Sequence, residues 1–178
     1  DWGASNHLLK VEVDYGGGLI DMGTTAFMSV PYSFCSVSSA TLSAVTYSIG
    51  DTAQGGIVFY VSPDGKNGLV AATVDQSMYS DWYNASDVIS RPLNHTLEGQ
   101  KFLDWRLPTK YELNQMYLNI GPGNALGLGN IGGFTSGVYW SSTEVVNGNA
   151  WGQDFANGYQ SVNSKYGNLN YVRAVRAF

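Results

Sequence analysis

The chain has a single cysteine, Cys35, so no intrachain disulfide can form and the fold rests on burial. Charged side chains make up only 13% of its 178 residues, and acidic ones outnumber basic ones by 14 to 9. The resulting net charge of -5 argues against nucleic acid as a partner, because a phosphate backbone calls for a basic face. No run of about eighteen apolar residues is present, so no membrane insertion is expected. His7 and His95 lie in different segments, with neither metal-ligand nor triad spacing. Cys35 has no activating context and reads as a small buried hydrophobe. Asp-rich calcium loops of the EF-hand type are missing. The expectation is a non-enzymatic protein with no catalytic residues, no metal and no cofactor. Asn84-Ala85-Ser86 and Asn94-His95-Thr96 fit the glycosylation sequon, a triplet that also arises by chance. Asp1-Trp2-Gly3 lacks an initiator Met and a signal-peptide pattern, so the start reads as a processed or trimmed end.

What is present is glycine, with 22 residues, and aromatic side chains at 13%. That composition describes a turn-rich, aromatic-cored globule, and the length suits one domain with a small appendage. Residues 1–46 are expected to form an attachment or oligomerisation segment. Leu8-Leu9-Lys10-Val11-Glu12-Val13 alternates like a strand, Gly16-Gly17-Gly18 breaks it, and residues 33–45 have the apolar spacing of a short helix.

The main domain is expected over residues 47–178. Ile57-Val58-Phe59-Tyr60-Val61 is β-branched and aromatic, Ser62-Pro63-Asp64-Gly65 is a turn, and Gly68-Leu69-Val70-Ala71-Ala72 returns as the second arm of a hairpin. Thr109-Lys110-Tyr111-Glu112 is a capping box, and Leu113, Met116, Tyr117 and Ile120 follow at helical spacing up to Gly121. Residues 121–133 are glycine-rich and loop-like. The strongest strand signals at the two ends, residues 57–61 and 172–177, are expected to pair.

The last quarter is polar but anchored. Tyr139-Trp140-Ser141-Ser142-Thr143-Glu144 opens it and Tyr171-Val172-Arg173-Ala174-Val175-Arg176-Ala177-Phe178 closes it. Between them lie Asn, Ser, Tyr, Gly and Asp around Trp151, Phe155, Gly158, Gln160 and Lys165. So long a polar stretch between apolar ends reads as a binding face rather than a plain loop. Its composition is that of antibody paratopes, where rigid aromatics and adaptable polar groups make the contacts. Trp140, Trp151, Phe155 and Phe178 read as core, and Arg173 or Arg176 as the partner of Glu144 or another carboxylate. At least one of Tyr159 and Tyr166 is expected to be an exposed contact residue.

These blocks, with Gly50-Asp51-Thr52, Gly55-Gly56, Asp104-Trp105-Arg106-Leu107-Pro108-Thr109 and Ala150-Trp151, resemble the C-terminal ligand-binding domain of bacterial collagen-like adhesins. The resemblance spans residues 47–178 and implies an α+β, C-type lectin-like fold. The Glu-Pro-Asn, Gln-Pro-Asp and Trp-Asn-Asp triplets of calcium-dependent sugar binding do not occur in the chain. Ser29-Val30-Pro31-Tyr32 is similar to junctions that precede head domains in phage tail fibres, which implies a homo-oligomer, a trimer, through the N-terminal segment.

The chain also resembles variable proteins of diversity-generating retroelements, whose adenine-directed mutagenesis turns Asn codons into Asn, Ser, Tyr, Asp, Gly and a few others. That resemblance places the variable region at about residues 139–178. It implies that Gly152, Asp154, Asn157, Tyr159, Ser161, Asn163, Ser164, Tyr166, Asn168 and Asn170 are exposed ligand-binding positions on one surface. Trp151, Phe155, Gln160 and Lys165 would be framework. The implied function is receptor binding at a virion or cell surface, in an extracellular setting, with a protein or glycan on a cell as partner. The alternative is an adhesin of fixed specificity for a glycan or glycosaminoglycan.

Overall fold

The computed structural model describes residues 8–14, 19–26 and 45–178. Contacts divide the chain into two units, Asp1–Ser43 and Ala44–Phe178. In the first, β1 (Leu8–Asp14) and β2 (Leu19–Ala26) pair antiparallel, with Leu8 opposite Ala26. The alternation read in residues 8–13 is therefore a strand. The helix expected from residue 33 and the fibre-junction stretch lie outside the described residues as far as residue 44.

The second unit is α+β, as the sequence implied. β3 (Thr52–Ala53), β4 (Gly56–Val61) and β5 (Gly68–Ala72) form an antiparallel meander. β6 (Ser77–Ser80) leads into α1 (Trp82–Ser90). After two short 3-10 turns comes α2 (Lys110–Asn119). The glycine-rich segment then runs without helix or strand to β7 (Val138–Val146), followed by β8 (Asn149–Asp154), β9 (Gln160–Ser164), β10 (Asn170–Val172) and β11 (Val175–Ala177). One sheet has the order β11-β5-β4-β3 and the other β6-β10-β7-β8-β9.

The expected pairing of the terminal strands needs correction. β11 hydrogen-bonds to β5, with Val175 opposite Ala71, and β5 lies between β11 and β4. Val172 is not part of β11 at all; it ends β10 in the other sheet. The hairpin return β5 is fully apolar and takes the central place, as a strand buried on both faces does. Phe178 still secures the end: its N–H and C=O bond with Gly68, and its ring meets Tyr47 edge-on at 4.7 Å.

The Thr109 box is present. Thr109 Oγ1 accepts from the Glu112 N–H at 3.2 Å, and Glu112 Oε2 accepts from the Thr109 N–H at 2.8 Å. Burial pushes the Glu112 carboxyl up, but the Arg106 guanidinium and the Thr109 N–H outweigh it and hold it below its ordinary value. Leu113, Met116 and Ile120 bury their side chains with Phe59, Phe134, Tyr139 and Phe155.

The helix α1 was not anticipated. Its sequence Trp-Tyr-Asn-Ala-Ser-Asp-Val-Ile-Ser is rich in weak helix formers. Packing decides instead, since Ala85 and Ile89 bury against Trp140, Ala150 and Val172. Asp81 was the available signal: its carboxylate accepts from the Asn84 N–H at 2.9 Å as an N-cap, and that bond holds its pKa down.

Arg173 joins the halves of this unit. Its Nε donates to Asp75 at 2.6 Å, and Nη1 donates to the carbonyls of Ala72 and Gly132 at 2.9 and 2.7 Å. Arg176 does the same work nearer the surface, donating to Asp104 at 2.7 Å. Both arginines thus pair with carboxylates other than Glu144.

Candidate functional site

The antiparallel pair β8–β9 carries most of the polar stretch. Asp154 N–H donates to Tyr159 O and Lys165 N–H to Gly148 O, each at 2.9 Å. These bonds bracket the register, which sets Gly152 opposite Ser161 and Ala150 opposite Asn163. Side chains alternate across the sheet, so Ala150, Gly152, Asp154, Ser161 and Asn163 share one face. Trp151, Gln153, Gln160 and Val162 share the other, which looks toward α2. There Lys110 Nζ lies 3.1 Å from the Trp151 ring centroid, and Gln153 donates to Asn114 at 2.9 Å.

The turns at the two ends complete the surface. At one end Gly158 adopts φ +79, and an added Cβ would lie 2.6 Å from Tyr117, so this turn needs glycine. Asp154 Oδ1 accepts from Ala156 N–H, and Asn157 Oδ1 accepts from Tyr159 N–H, each at 2.8 Å. At the other end Ser164 N–H donates to Asn168 Oδ1 at 3.0 Å. The turns expose Tyr159 by 70% and Tyr166 by 76%. Asn157, Ser164 and Asn168 are exposed as well, while Asp154, Ser161 and Asn163 are half-buried.

Two expected positions are not exposed. Gly152 is buried because Trp140 faces it across the strand pair and the side chains of Val138 and Asn163 close over it. A Cβ there would fall 2.8 Å from Val138 Cγ1. Asn170 is 7% exposed, because β10 runs between β6 and β7 and is covered from both sides. The remaining positions line the edge of the sheet and its turns.

Two of the four anchors lie inside. Phe155 is fully buried, and Lys165 is 2% exposed. The Lys165 ammonium pairs with Glu144, donates to Asn147 O at 3.2 Å and sits 4.2 Å from the Trp82 ring centroid. Gln160 is half-buried, donating to Lys110 O and to Gln153, each at 3.2 Å. Trp151 is half-buried rather than core, with the Lys110 ammonium lying over its ring on the α2 side.

Sequence reasoning missed Tyr83. It lies on α1, 44% exposed, with its ring 4.8 Å from that of Tyr166. Its signal was hidden because α1 was not read as a helix. Among the described residues, no three of His, Cys, Asp and Glu gather where they could hold a metal ion. No helix among them is long and apolar enough to cross a membrane. The site therefore offers hydrogen-bonding groups and aromatic rings on a strand-and-turn frame, which is the equipment of recognition.

A comparison with curated proteins finds no match to the chain. The family model of the Lcl C-terminal domain matches residues 58–176, which takes in both helices, the polar face and the strands from β4 to β11 apart from the first residues of β4 and the last of β11. The chain belongs to the Lcl C-terminal domain family, with its C-type lectin-like fold.

Proposed function

We propose that this protein is a non-enzymatic receptor-binding protein that displays a diversified surface along β9 and its flanking turns. A diversity-generating retroelement would supply the variation, and a protein or glycan on a cell surface would be the ligand. The setting is extracellular or on a virion, with the N-terminal segment serving attachment or trimer formation. The observation that carries this reading is the burial pattern. Of the residues outside the Asn-derived set, Gln153 and Lys165 are buried and bonded, and Trp151 and Gln160 are half-buried against α2, while Asn157, Tyr159, Ser164, Tyr166 and Asn168 point outward. Replacement of exposed residues usually changes stability by less than about 0.5 kcal/mol, so such a face can vary without unfolding its support.

The burial of Gly152 and Asn170 favours a second reading, because neither position can be replaced freely. In that reading the face is fixed, and the domain is an adhesin for one glycan or glycosaminoglycan. Sequencing the DNA around the coding region separates the two. The diversified reading expects a nearby reverse-transcriptase gene and a near-copy of the segment for residues 139–178, differing only at adenines of that copy. A coding region without such a repeat overturns it in favour of the fixed adhesin.

A further inference from the structure

The strand β9 is an edge of its sheet, since the order ends β7-β8-β9. Its bonds to β8 run through Tyr159 at one end and Lys165 at the other. Alternation therefore turns Ser161 and Asn163 toward β8 as well, and it turns the N–H and C=O of Gln160, Val162 and Ser164 outward. The Asn168 side chain and N–H take up the two groups of Ser164. Among the described residues, those of Gln160 and Val162 point to no partner strand.

Exposed edges are usually blocked by Lys, Pro, a bulge or a cover. The β9 sequence Gln-Ser-Val-Asn-Ser has no charge and no proline, and its register with β8 runs without a shift. Val162 is 47% exposed. Beside Gln160, on the α2 side, a cleft of about 380 Å³ opens between Lys110, Tyr111, Asn114 and Thr143. Lys110 has no carboxylate partner among the described residues.

We propose that β9 accepts an extended peptide of the ligand as an added strand, paired through the outward groups of Gln160 and Val162, with an acidic side chain of that peptide in the Lys110 cleft. Strand addition divides the labour in this way: main-chain bonds give affinity, and alternate side chains give specificity. Here the main-chain rail is independent of whichever side chains stand at Ser161 and Asn163. A second copy of β9 is the poorer occupant, because Gln-Ser-Val-Asn-Ser brings no carboxylate to Lys110. The proposal rests on the reading of the β8–β9 surface as the ligand-binding face.

The test is selection of linear twelve-residue peptides, displayed on phage, against the full chain. Enriched peptides should carry Asp or Glu at a recurring position. Val162→Pro deletes an outward N–H and fixes the local φ, a change that an edge strand tolerates better than a central one. It should weaken the selected peptide at least tenfold while the melting temperature stays near the parent's, and Lys110→Gln should weaken it as well. Should the proline variant unfold, hydrogen exchange on the unaltered protein decides. Bound peptide must slow the amides of Gln160 and Val162. No enriched peptide, unprotected amides, or a dimer that Val162→Pro dissociates would overturn the added strand. If Tyr159→Ala with Tyr166→Ala abolishes peptide binding while Val162→Pro does not, the face stands and the edge proposal fails. If neither variant matters, both fail.

Discussion

Tyr83 of α1 and Tyr166 of the β9–β10 turn pack ring on ring, with centroids 4.8 Å apart and planes inclined by 41°. The Tyr166 hydroxyl holds the Tyr83 phenol above its ordinary pKa. The buried Lys165 ammonium reaches Trp82 beside this pair and Glu144 on β7. A framework cation thus ties the last turn of the polar stretch to α1, and two exposed aromatics follow from that tie. Aromatic pairs of this kind contribute about 0.5–1.5 kcal/mol beyond their burial.

Lys165→Ala should therefore destabilise the domain by about 2–4 kcal/mol, through lost packing of a buried side chain and loss of its bonds to Asn147 O and the exposed Glu144. Glu144→Gln should lose less, because its amide oxygen still accepts from the ammonium and the side chain is half in solvent. Urea denaturation of the two variants gives the comparison, and equal losses would contradict it.

Arg173→Lys is expected to be costly despite its conserved charge. The guanidinium serves Asp75, Ala72 O and Gly132 O at once, and an ammonium cannot span that fork. Leaving buried carbonyls without donors costs about 1–3 kcal/mol for each group. Equilibrium unfolding should show a loss of at least about 2 kcal/mol, with the glycine-rich segment exchanging its amides faster.

The acid limb of stability follows from depressed carboxyl pKa values. The Arg176 guanidinium holds Asp104 low, the Asn84 N–H holds Asp81 low, and Glu112 is net lowered against its burial. A carboxyl depressed by folding contributes stability that is fully present above its unfolded value. That stability fades as pH falls through the folded value. The unfolded values are near 3.8 for Asp and 4.5 for Glu, so the melting temperature should hold steady above about pH 5 and fall below about pH 4.5. Glu112→Gln should flatten part of that fall.

Gly152→Asp and Asn170→Tyr should each lose about 1–3 kcal/mol by overfilling closed sites. Ser161→Asp and Asn168→Tyr should stay within about 0.5 kcal/mol of the parent. Thermal melts of the four variants check the boundary between face and frame, and a tolerant Gly152 would return that position to the variable set.

Much of this architecture was legible in local signals. The capping box at Thr109, the β4–β5 hairpin and the inward Phe155 and Lys165 all announce themselves by residue type and spacing. The helix α1 did not, because tertiary burial of Ala85 and Ile89 overrides weak propensity. The neighbour of β11 was also hidden, since strand order depends on which strand is buried on both faces. Of the candidate site, the exposed turns around Tyr159 and Tyr166 followed from composition. The burial of Gly152 and Asn170 depends on cross-strand partners that only the register supplies. Tyr83 joins the face through a contact 83 residues away in the chain, which no local pattern encodes.

The central claim is that the face can change while the frame holds. The direct measurement is a library in which Asp154, Asn157, Tyr159, Ser161, Asn163, Ser164, Tyr166 and Asn168 are replaced together by Asn, Ser, Tyr, Asp or Gly. Members are selected against a panel of unrelated purified proteins, and the melting temperature of each selected and unselected clone is recorded. The account predicts that most clones melt within a few degrees of the parent and that selected clones bind different panel members. A library dominated by unfolded clones, or one in which folded clones never gain a new ligand, would contradict it.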